Sequence, residues 1–231
     1  MRFAKFFSII VLIAFLSGCH FSWGSSGMSR ATPEGLYQHG YSCYQDGDYK
    51  EAIESFQRLK EEYPLSKFAI MAEIGIADSF FSKKDYAEAE MYYNDFMNLH
   101  PINENLPYVM YQLGMCHYNQ MYSIDRDQTE TFKAKKEFER LLSRFPSSKF
   151  SIMADKKLRN CRKRLGEQEF YVGHFYFKMK SYNAALKRFE TVVREYSNLG
   201  MDYKVSYFLN ETKRLLQQEE EKEKKVGQPP L

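Results

Sequence analysis

The sequence predicts an all-α solenoid of about five helix pairs, and three features of its 231 residues support this prediction. Small and aromatic residues recur with a period of 37 residues, helix-capping residues open the expected helices, and prolines close them. The alternation of polar and apolar residues that is typical of β-strands is much weaker. Since periods of about 20 to 50 residues are typical of stacked repeats, we expect one array of similar helical units.

The repeating unit is a skeleton of small, aromatic, aromatic, small, aromatic and proline residues. In the first copy these are Gly40, Tyr44, Tyr49, Ala52, Phe56 and Pro64. In the second copy they are Ala77, Phe81, Tyr86, Ala89, Tyr93 and Pro101. A third copy contains an eight-residue insertion, and a fourth has serine in place of proline. The spacing resembles the tetratricopeptide repeat, a helix-turn-helix unit of about 34 residues.

Each skeleton position has a physical role in such a unit. Gly40 on the first helix and Ala52 on the second allow close approach, and the aromatic residues fill the space between layers. Proline at positions 64, 101 and 146 stops each second helix, since it lacks a backbone N–H. Side chains that accept hydrogen bonds from a first turn precede the helices. These predicted caps are Thr32, Asp48, Ser66, Asp85 and Ser148.

The segment that follows Pro146 is longer than the corresponding segment of the other units. Gly166 interrupts it, and glycine weakens a helix, so two helices are expected there and five pairs in all. A closing helix is predicted from Met201 to Glu220. The solenoid then spans residues 33–220, and residues 221–231 form a disordered charged tail.

The first 18 residues have the composition of a secretory signal peptide. Arg2 and Lys5 give it a positive start, and the apolar stretch at 6–16 is shorter than the roughly 18 to 20 residues that cross a bilayer. The tetrapeptide LSGC that follows resembles a bacterial lipobox, in which cleavage precedes a cysteine that receives a diacylglyceryl thioether. The sequence therefore predicts N-acyl and S-diacylglycerol lipid on Cys19, and the alternative is an ordinary signal peptide that contains a cysteine.

Lipidation would anchor the protein to a membrane without spanning it, because several acyl chains together bind stably. His20 follows the modified cysteine, whereas aspartate at that position retains enterobacterial lipoproteins in the inner membrane, so the outer membrane is expected. Residues 19–32 are rich in serine and glycine and form a flexible tether. The net charge of +3 becomes nearly neutral once Arg2 and Lys5 are removed, which argues against nucleic-acid binding.

The sequence contains no recognisable catalytic or metal-binding motif. It lacks a phosphate-cradling glycine loop, a nucleophile elbow and a ligand pair of the HExxH kind, so neither an enzyme nor a cofactor is expected. His117 falls on the inner side of a repeat helix, which favours core packing over a ligand role. Cys43, Cys116 and Cys161 fall in helices of different units and are interpreted as buried small apolar residues.

A peptide-binding groove is predicted on the concave face, which the first helix of each unit lines. Aromatic side chains at helical spacing suit an extended or turn-like peptide that is rich in aromatic residues. For the aromatic residues that recur in register, the alternative is packing between layers. Tyr37, Tyr41 and Tyr111 do not belong to the skeleton, which favours contact with a ligand. The predicted groove residues are Tyr37, Tyr41, Tyr44, Asp78, Phe81, Tyr111 and Tyr118.

A stripe of basic residues, Lys156, Arg159 and Lys163, has helical spacing in the segment KKLRNCRKRL. Most charge runs of this kind are solvated helix faces, and we favour that interpretation. The alternative is docking to an acidic partner surface or to lipid headgroups.

Four segments of the chain carry a family resemblance: YVMYQLG (108–114), DRDQ (125–128), RLGEQEFYVGHFYFK (164–178) and NAALKRFE (183–190). They resemble the BamD (ComL-type) family of outer-membrane lipoproteins. With the lipobox and the repeats, the resemblance covers nearly the whole chain after the signal. It implies a scaffold of the machine that folds and inserts β-barrel proteins. The chain differs from better-known members in a shorter segment before DRDQ and in lacking proline in its last repeat.

The resemblance also implies partners and a location at the periplasmic face of the outer membrane. The amino-terminal groove would receive unfolded outer-membrane proteins, whose last strand commonly ends in an aromatic residue. The carboxy-terminal repeats would dock a BamA-like barrel subunit through Asp125, Arg126 and Arg188, and other lipoproteins of the machine are further implied partners. The alternative is another tetratricopeptide lipoprotein adaptor, such as a pilus-secretin pilot or a cell-wall or division coordinator.

Overall fold

A computed structural model of the chain describes residues 32–226, with side chains up to residue 222. Over this range the chain forms nine α-helices and no strand, which confirms the all-α prediction. Every helix within residues 32–226 falls short of the length or the hydropathy that a bilayer-spanning segment needs. The helices are α1 (Pro33–Asp46), α2 (Tyr49–Glu62), α3 (Lys67–Ser82), α4 (Tyr86–Leu99), α5 (Leu106–Asn119), α6 (Thr129–Arg144), α7 (Lys149–Lys178), α8 (Tyr182–Glu195) and α9 (Asp202–Val226).

Contacts between helices follow the chain order. Each helix packs against the next one, and α1 also packs against α3, as α5 does against α7. Short connections between consecutive helices favour this side-by-side packing. Because each unit contacts mainly its neighbours, the chain is a tetratricopeptide-type solenoid, as the repeat predicts.

The skeleton residues form the packing layers between helices. Phe56 on α2 lies between α1 and α3, where a Cβ at Gly40 would come within 2.8 Å of its ring and one at Gly75 within 2.6 Å. Small residues on both neighbours therefore let three helices meet around one aromatic ring. The same positions recur along the array as fully buried alanines and aromatic residues. They are Ala52, Ala89, Ala134 and Ala185, with Tyr93, Phe138 and Phe189.

Local chemistry sets the helix ends. The predicted caps form side-chain hydrogen bonds to backbone N–H groups at Thr32, Asp48, Ser66 and Ser148. The side chain of Asp85 makes no such bond, so the capping prediction is wrong for α4. Helices α2, α4 and α6 each end two residues before a proline, as predicted.

Gly166 does not divide the long segment, because α7 continues through it for 30 residues. A Cβ at this position would lie 2.7 Å from Cε of Met201 and 2.8 Å from Cβ of Tyr196. The glycine thus allows the segment between α8 and α9 to approach α7. The roughly 1 kcal/mol that an interior glycine costs a helix is small beside the packing on both sides. At the other end, α9 extends to Val226, so the predicted boundary at residue 220 falls inside a helix.

The buried apolar residues form three adjoining clusters. The amino-terminal cluster surrounds Phe56 on α2, the central one surrounds Phe138 on α6, and the carboxy-terminal one surrounds Phe189 on α8. Phe80 and Tyr92 stack at 5.2 Å and contact both of the first two clusters. The two ends of the solenoid therefore rest on separate cores.

Candidate functional site

A small pocket opens beside α1 and α3, and three predicted groove tyrosines lie on its wall. Tyr37, Tyr41 and Tyr44 share one face of α1, since a helix turns every 3.6 residues. The rings of Tyr37 and Tyr41 are nearly parallel at 6.4 Å, and Tyr41 is 47% exposed. The cavity measures about 100 Å³. This tyrosine pocket is lined by Tyr37, Tyr41, Tyr44, Phe56, Met71, Ile74, Gly75 and Asp78.

Asp78 lies in the wall of the tyrosine pocket, where two phenols hold its carboxylate. Tyr93 donates a hydrogen bond to Oδ1 at 2.5 Å, and Tyr108 donates one to Oδ2 at 2.8 Å. Gln112 donates in turn to the Tyr108 oxygen at 3.2 Å. Burial raises the pKa of Asp78 to about 6, although both phenols favour the charged form. The carboxylate therefore connects the pocket to α4 and α5.

Tyr44 is also tied to a neighbouring helix. Its hydroxyl lies 3.0 Å from Oγ of Ser82 at the end of α3. Its ring packs at 5.7 Å against Tyr49, the next aromatic residue of the repeat skeleton. Tyr44 thus both lines the pocket and joins the first two repeats, whereas Tyr41 keeps the most open position.

Phe81 and Tyr111 lie away from the tyrosine pocket. Phe81 packs edge-on against Tyr86 at 5.5 Å, as the alternative of layer packing predicts. Tyr111 is only 8% exposed, and its ring lies 6.1 Å from both Phe138 and Phe150. The prediction that Tyr111 faces a ligand is therefore wrong. Its ring fills the space that α5, α6 and α7 enclose, which the register of a single helix does not reveal.

Tyr118 connects α5 with α7 rather than lining the pocket. The ammonium of Lys157 lies 4.3 Å from the centre of its ring, and Asn160 donates a hydrogen bond to its hydroxyl at 3.2 Å. A cation over an aromatic face stabilises such a contact. Of the predicted groove residues, Tyr37, Tyr41, Tyr44 and Asp78 therefore line one pocket, and the other three lie outside it.

The insertion of the third repeat forms the loop between α5 and α6, which carries Asp125 and Arg126. Gln128 is buried beneath the loop and donates hydrogen bonds to the carbonyls of Ser123 and Arg126, at 2.7 and 3.0 Å. The guanidinium of Arg126 lies 6.0 Å from the ring of Tyr122. A hydrogen bond from Ser123 lowers the pKa of Asp125. Both predicted docking residues of the loop are exposed, so a partner can reach them.

A second and larger cavity, of about 300 Å³, lies between this loop, α7 and the start of α9. The ammonium of Lys204 lies 4.4 Å from the Phe170 ring at its wall. Burial, reinforced by nearby lysines, lowers the pKa of His174. The sequence reasoning missed this site because three separate segments build it. We call it the carboxy-terminal pocket, and its lining residues are Ile124, Glu167, Phe170, Tyr171, His174, Met201 and Lys204.

Arg188, the third predicted docking residue, lies on α8 and contacts α7. Its Nη1 is 3.1 and 2.9 Å from the two carboxylate oxygens of Glu169. The arginine side chain remains 43% exposed, whereas that of Glu169 is largely buried. The structure therefore places Arg188 on a different element from Asp125 and Arg126. Its partner Glu169 lies two residues along α7 from Glu167, which lines the carboxy-terminal pocket.

Part of the basic stripe on α7 has a structural role. Arg159 donates a hydrogen bond to the carbonyl of Asn198 at 3.3 Å. Its neighbour Arg162 donates to the carbonyl of Glu195, the last residue of α8, at 3.1 Å. Cations near helix carboxyl ends are favourable because the last carbonyls carry partial negative charge. Lys156 and Lys163 are exposed, as expected for a solvated face.

The burial of His117 and of three cysteines agrees in most cases with the sequence prediction. His117 is buried as predicted, but it is held by Glu130, whose Oε2 lies 2.7 Å from Nδ1. Cys116 and Cys161 are buried, and burial raises the pKa of each thiol to about 12. Cys43 is half-buried beside His39 instead of fully buried.

Some predictions fall outside the described residues. The predicted signal peptide, the predicted lipidation site Cys19 and residues 19–31 of the predicted tether lie before the described range, and residues 227–231 lie after it. The prediction of lipid attachment therefore stays a prediction.

Comparison with known proteins identifies the family. The family model YfiO, described as an outer membrane lipoprotein, matches residues 29–227. The outer membrane protein assembly factor BamD of Rickettsia prowazekii is 30% identical over 217 residues, which cover 94% of this chain and 86% of that protein. BamD of Pasteurella multocida is 24% identical over 222 residues, covering 91% and 84% of the two chains. A solved structure of tetratricopeptide-like repeats from Podosopora anserina has a TM-score of 0.47 at 10% identity, over 80% of this chain and 97% of that one. The chain therefore belongs to the YfiO family of outer membrane lipoproteins.

Proposed function

We propose that the protein is a lipid-anchored scaffold for the assembly of β-barrel proteins at the periplasmic face of the outer membrane. Relatives that align along most of their length are outer membrane protein assembly factors. One observation carries the proposal: the chain offers two pockets, at opposite ends of the array, that rest on separate cores. A scaffold that holds two partners at once needs two surfaces that do not overlap.

The tyrosine pocket is the proposed site for unfolded barrel precursors. Its walls are aromatic, and the exposed ring of Tyr41 borders an opening of about 100 Å³. An aromatic side chain near the end of a precursor strand would pack against Tyr37 and Tyr41. Each such ring contact contributes about 1 kcal/mol beyond the area it buries, so the precursor is held weakly enough to be passed on.

The carboxy-terminal pocket and its surroundings are the proposed site for a BamA-like barrel subunit. Phe170 and Tyr171 supply an apolar centre, and Glu167 and Lys204 supply charge at the edge. An apolar centre with a polar rim is typical of protein interfaces. Arg188 lies on α8, which packs against α7, and it has N–H donors beyond those that bind Glu169, which can bind a partner carboxylate.

A pull-down from detergent-solubilised envelopes tests both halves of this proposal. The wild-type chain should recover a BamA-like barrel subunit together with unfolded outer-membrane proteins. Arg188→Glu should lower recovery of the barrel subunit about tenfold or more, because it replaces a cation with an anion beside Glu169. Tyr41→Ala should lower recovery of precursors and leave that of the barrel subunit unchanged. The two variants therefore serve as controls for each other.

Arg194→Glu is the matched control for the charge change, since Arg194 lies on the same helix and pairs with Glu195 in solvent. It should leave recovery of the barrel subunit at the wild-type level. Equal recovery by the Arg188→Glu chain would reject Arg188 as a docking residue. Recovery of a secretin or a division protein in place of a barrel subunit would favour the alternative adaptor function.

The proposed lipid anchor is tested by Cys19→Ala. This change removes the thiol on which the diacylglyceryl thioether would form, so palmitate labelling should be lost. The protein should also move from the membrane pellet to the soluble fraction, because several acyl chains account for stable anchoring. Cys43→Ala, in the folded body, should keep both the label and the membrane location. Labelling that survives the loss of Cys19 would contradict the proposed anchor.

A further inference from the structure

Three side chains of different chemistry converge where α1 meets the start of α2. His39 and Cys43 lie one turn apart on α1, and Glu51 lies in the first turn of α2. Nε2 of His39 is 3.3 Å from Oε1 of Glu51 and 3.8 Å from Sγ of Cys43. One ligand atom from each of the three residues lies within 4.8 Å of the others. No family comparison or sequence motif points to this cluster.

The hydrogen bonds around His39 determine which of its nitrogens faces the cluster. The hydroxyl of Ser55 donates to the carbonyl of Leu36 at 2.9 Å, so its single proton is used. Its oxygen then accepts from Nδ1–H of His39, 3.3 Å away. The neutral ring therefore directs the lone pair of Nε2 towards Glu51, whereas Sγ of Cys43 lies beside the ring, 3.8 Å from Nε2 and 4.0 Å from Nδ1. Metal-binding histidines are commonly held in this way, with the second ring nitrogen donating to a neighbouring acceptor.

This arrangement places a lone pair and a carboxylate oxygen against each other. Nε2 of His39 and Oε1 of Glu51 are 3.3 Å apart and are both electron-rich in the neutral tautomer. Such a contact is favourable when the ring is protonated and forms an ion pair with Glu51, or when a metal ion lies between the two atoms. A metal ion in addition binds sulfur as a thiolate, which brings Cys43 into the same site.

Two of the three ligand separations are close to those of tetrahedral zinc, and all three ligand atoms lie within 4.8 Å of one another. From the usual Zn–N, Zn–O and Zn–S bond lengths, tetrahedral ligands would be about 3.4 Å apart for N and O and about 3.5 Å apart for N and S. The observed separations are 3.3 and 3.8 Å. A set of one nitrogen, one sulfur and one oxygen suits Zn²⁺ better than Mg²⁺ or Ca²⁺, which prefer oxygen alone. A water molecule would complete the coordination, as in zinc sites with three protein ligands.

The cluster is open to solvent, so an ion can enter. A depression of about 200 Å³ adjoins His39 and Glu51 and is also lined by Leu36, Glu54, Ser55 and Arg58. Positions 39 and 43 lie about 200° around α1 from positions 37 and 41, which places the cluster on the opposite side from the tyrosine pocket. The two sites can therefore be occupied independently.

We propose that His39, Cys43 and Glu51 bind one Zn²⁺ ion, which links α1 to α2 in the first repeat. Binding to the folded state alone stabilises that state in proportion to the logarithm of the zinc concentration above the dissociation constant. The ion would thus stiffen the repeat that carries the tyrosine pocket. The proposal does not depend on the function proposed above.

The test uses the complete chain after the signal, with Cys19→Ser to avoid lipidation, freed of metal by a chelator. Titration with Zn²⁺ should show one equivalent bound and a rise in Tm, and Co²⁺ should give the absorption band of a thiolate ligand. Cys43→Ser should abolish that band. Cys161→Ser is the matched control, since its buried thiol lies on α7, and it should keep the band.

Two further variants separate zinc binding from folding. Glu51→Gln changes an exposed side chain and should weaken zinc binding at least about tenfold, with an unchanged helical circular-dichroism spectrum. Ser55→Ala removes the acceptor of Nδ1–H and should weaken binding by about 10 to 100-fold. Absence of zinc uptake, or a cobalt band that persists in Cys43→Ser, would overturn the proposal. If Cys43→Ser does not fold, unchanged affinity in Glu51→Gln would overturn it equally.

Discussion

Replacing Phe138 by alanine is expected to lower the free energy of unfolding by about 3 to 5 kcal/mol. Its ring is fully buried on α6 and lies close to the rings of Tyr111 and Tyr118, at 6.1 and 6.2 Å. A Cβ at Gly114 would come within 2.5 Å of it. Because Gly114 has no side chain, the position of α5 that faces the ring has no side-chain atoms to move into the cavity. The free energy of unfolding lost in Phe138→Ala should therefore be that of a site that relaxes little around its cavity.

Urea unfolding followed by circular dichroism measures this loss, with the soluble Cys19→Ser chain as the reference. A lower midpoint with an unchanged slope would show a change in stability rather than in the denatured state. Phe132→Ala is the matched control, because this phenylalanine lies on the same helix and is 50% exposed. It should change the free energy of unfolding by only about 0.5 kcal/mol. A loss below about 1 kcal/mol in Phe138→Ala would show that the layer between α5 and α6 collapses around the gap.

Asp78→Asn is expected to remove a pH-dependent contribution to stability of about 3 kcal/mol. Each tenfold change in the acid dissociation constant of the Asp78 carboxyl between the unfolded and the folded chain corresponds to about 1.4 kcal/mol. Burial raises the pKa of this carboxyl from 3.8 to about 6 in the folded chain. Between these two values the folded state binds more protons than the unfolded state, so stability falls as the pH rises. The stabilising contribution of the protonated carboxyl is complete below about pH 4 and is lost as the pH rises through about 6.

Asparagine keeps the hydrogen bonds of this site but does not titrate. Its carbonyl accepts from one phenol, and its amide donates to the oxygen of the other, so Tyr93 and Tyr108 both retain partners. The variant should therefore gain stability relative to the wild type as the pH rises from about 4 to about 7. Taking the difference between the two chains cancels the titration of every other carboxyl.

Urea unfolding of both chains at several values between about pH 4 and pH 7 checks this expectation. Asp127→Asn provides the control, since hydrogen bonds from Thr129 lower the pKa of the Asp127 carboxyl. The stabilising contribution of its charged form is complete above about pH 4, so the difference between this control and the wild type should stay nearly constant between about pH 4 and pH 7. A difference between wild type and Asp78→Asn that stays constant with pH would contradict the burial of this carboxylate.

The repeat, four of the five caps and the helix ends before the prolines were predictable because each depends on a few neighbouring residues. Ala52 and Phe56 lie one turn apart on the same helix, so their spacing alone predicts which face is buried. Ser66 and Ser148 cap helices through hydrogen bonds that span only two residues. Family membership follows from longer segments that the comparisons confirm.

Gly166 and Tyr111 show where such local reasoning fails. Gly166 has the usual helix-weakening chemistry, but the segment between α8 and α9 packs against its bare backbone and α7 remains continuous. Tyr111 has the spacing of a groove residue, but rings from α6 and α7 enclose it. In both cases the deciding neighbour lies more than 25 residues away along the chain.

The sequence by itself therefore determined the helical array, its repeat skeleton, four of the five predicted caps and the family. Only the tertiary structure decided which aromatic residues remain accessible, that Ile124 meets Phe170 in the carboxy-terminal pocket, and that Glu51 joins His39 and Cys43. Helix periodicity gives the face on which a residue lies, whereas a pocket or a metal site requires side chains from separate helices within about 4 Å of each other. That second condition depends on how the helices pack, which no single helix encodes.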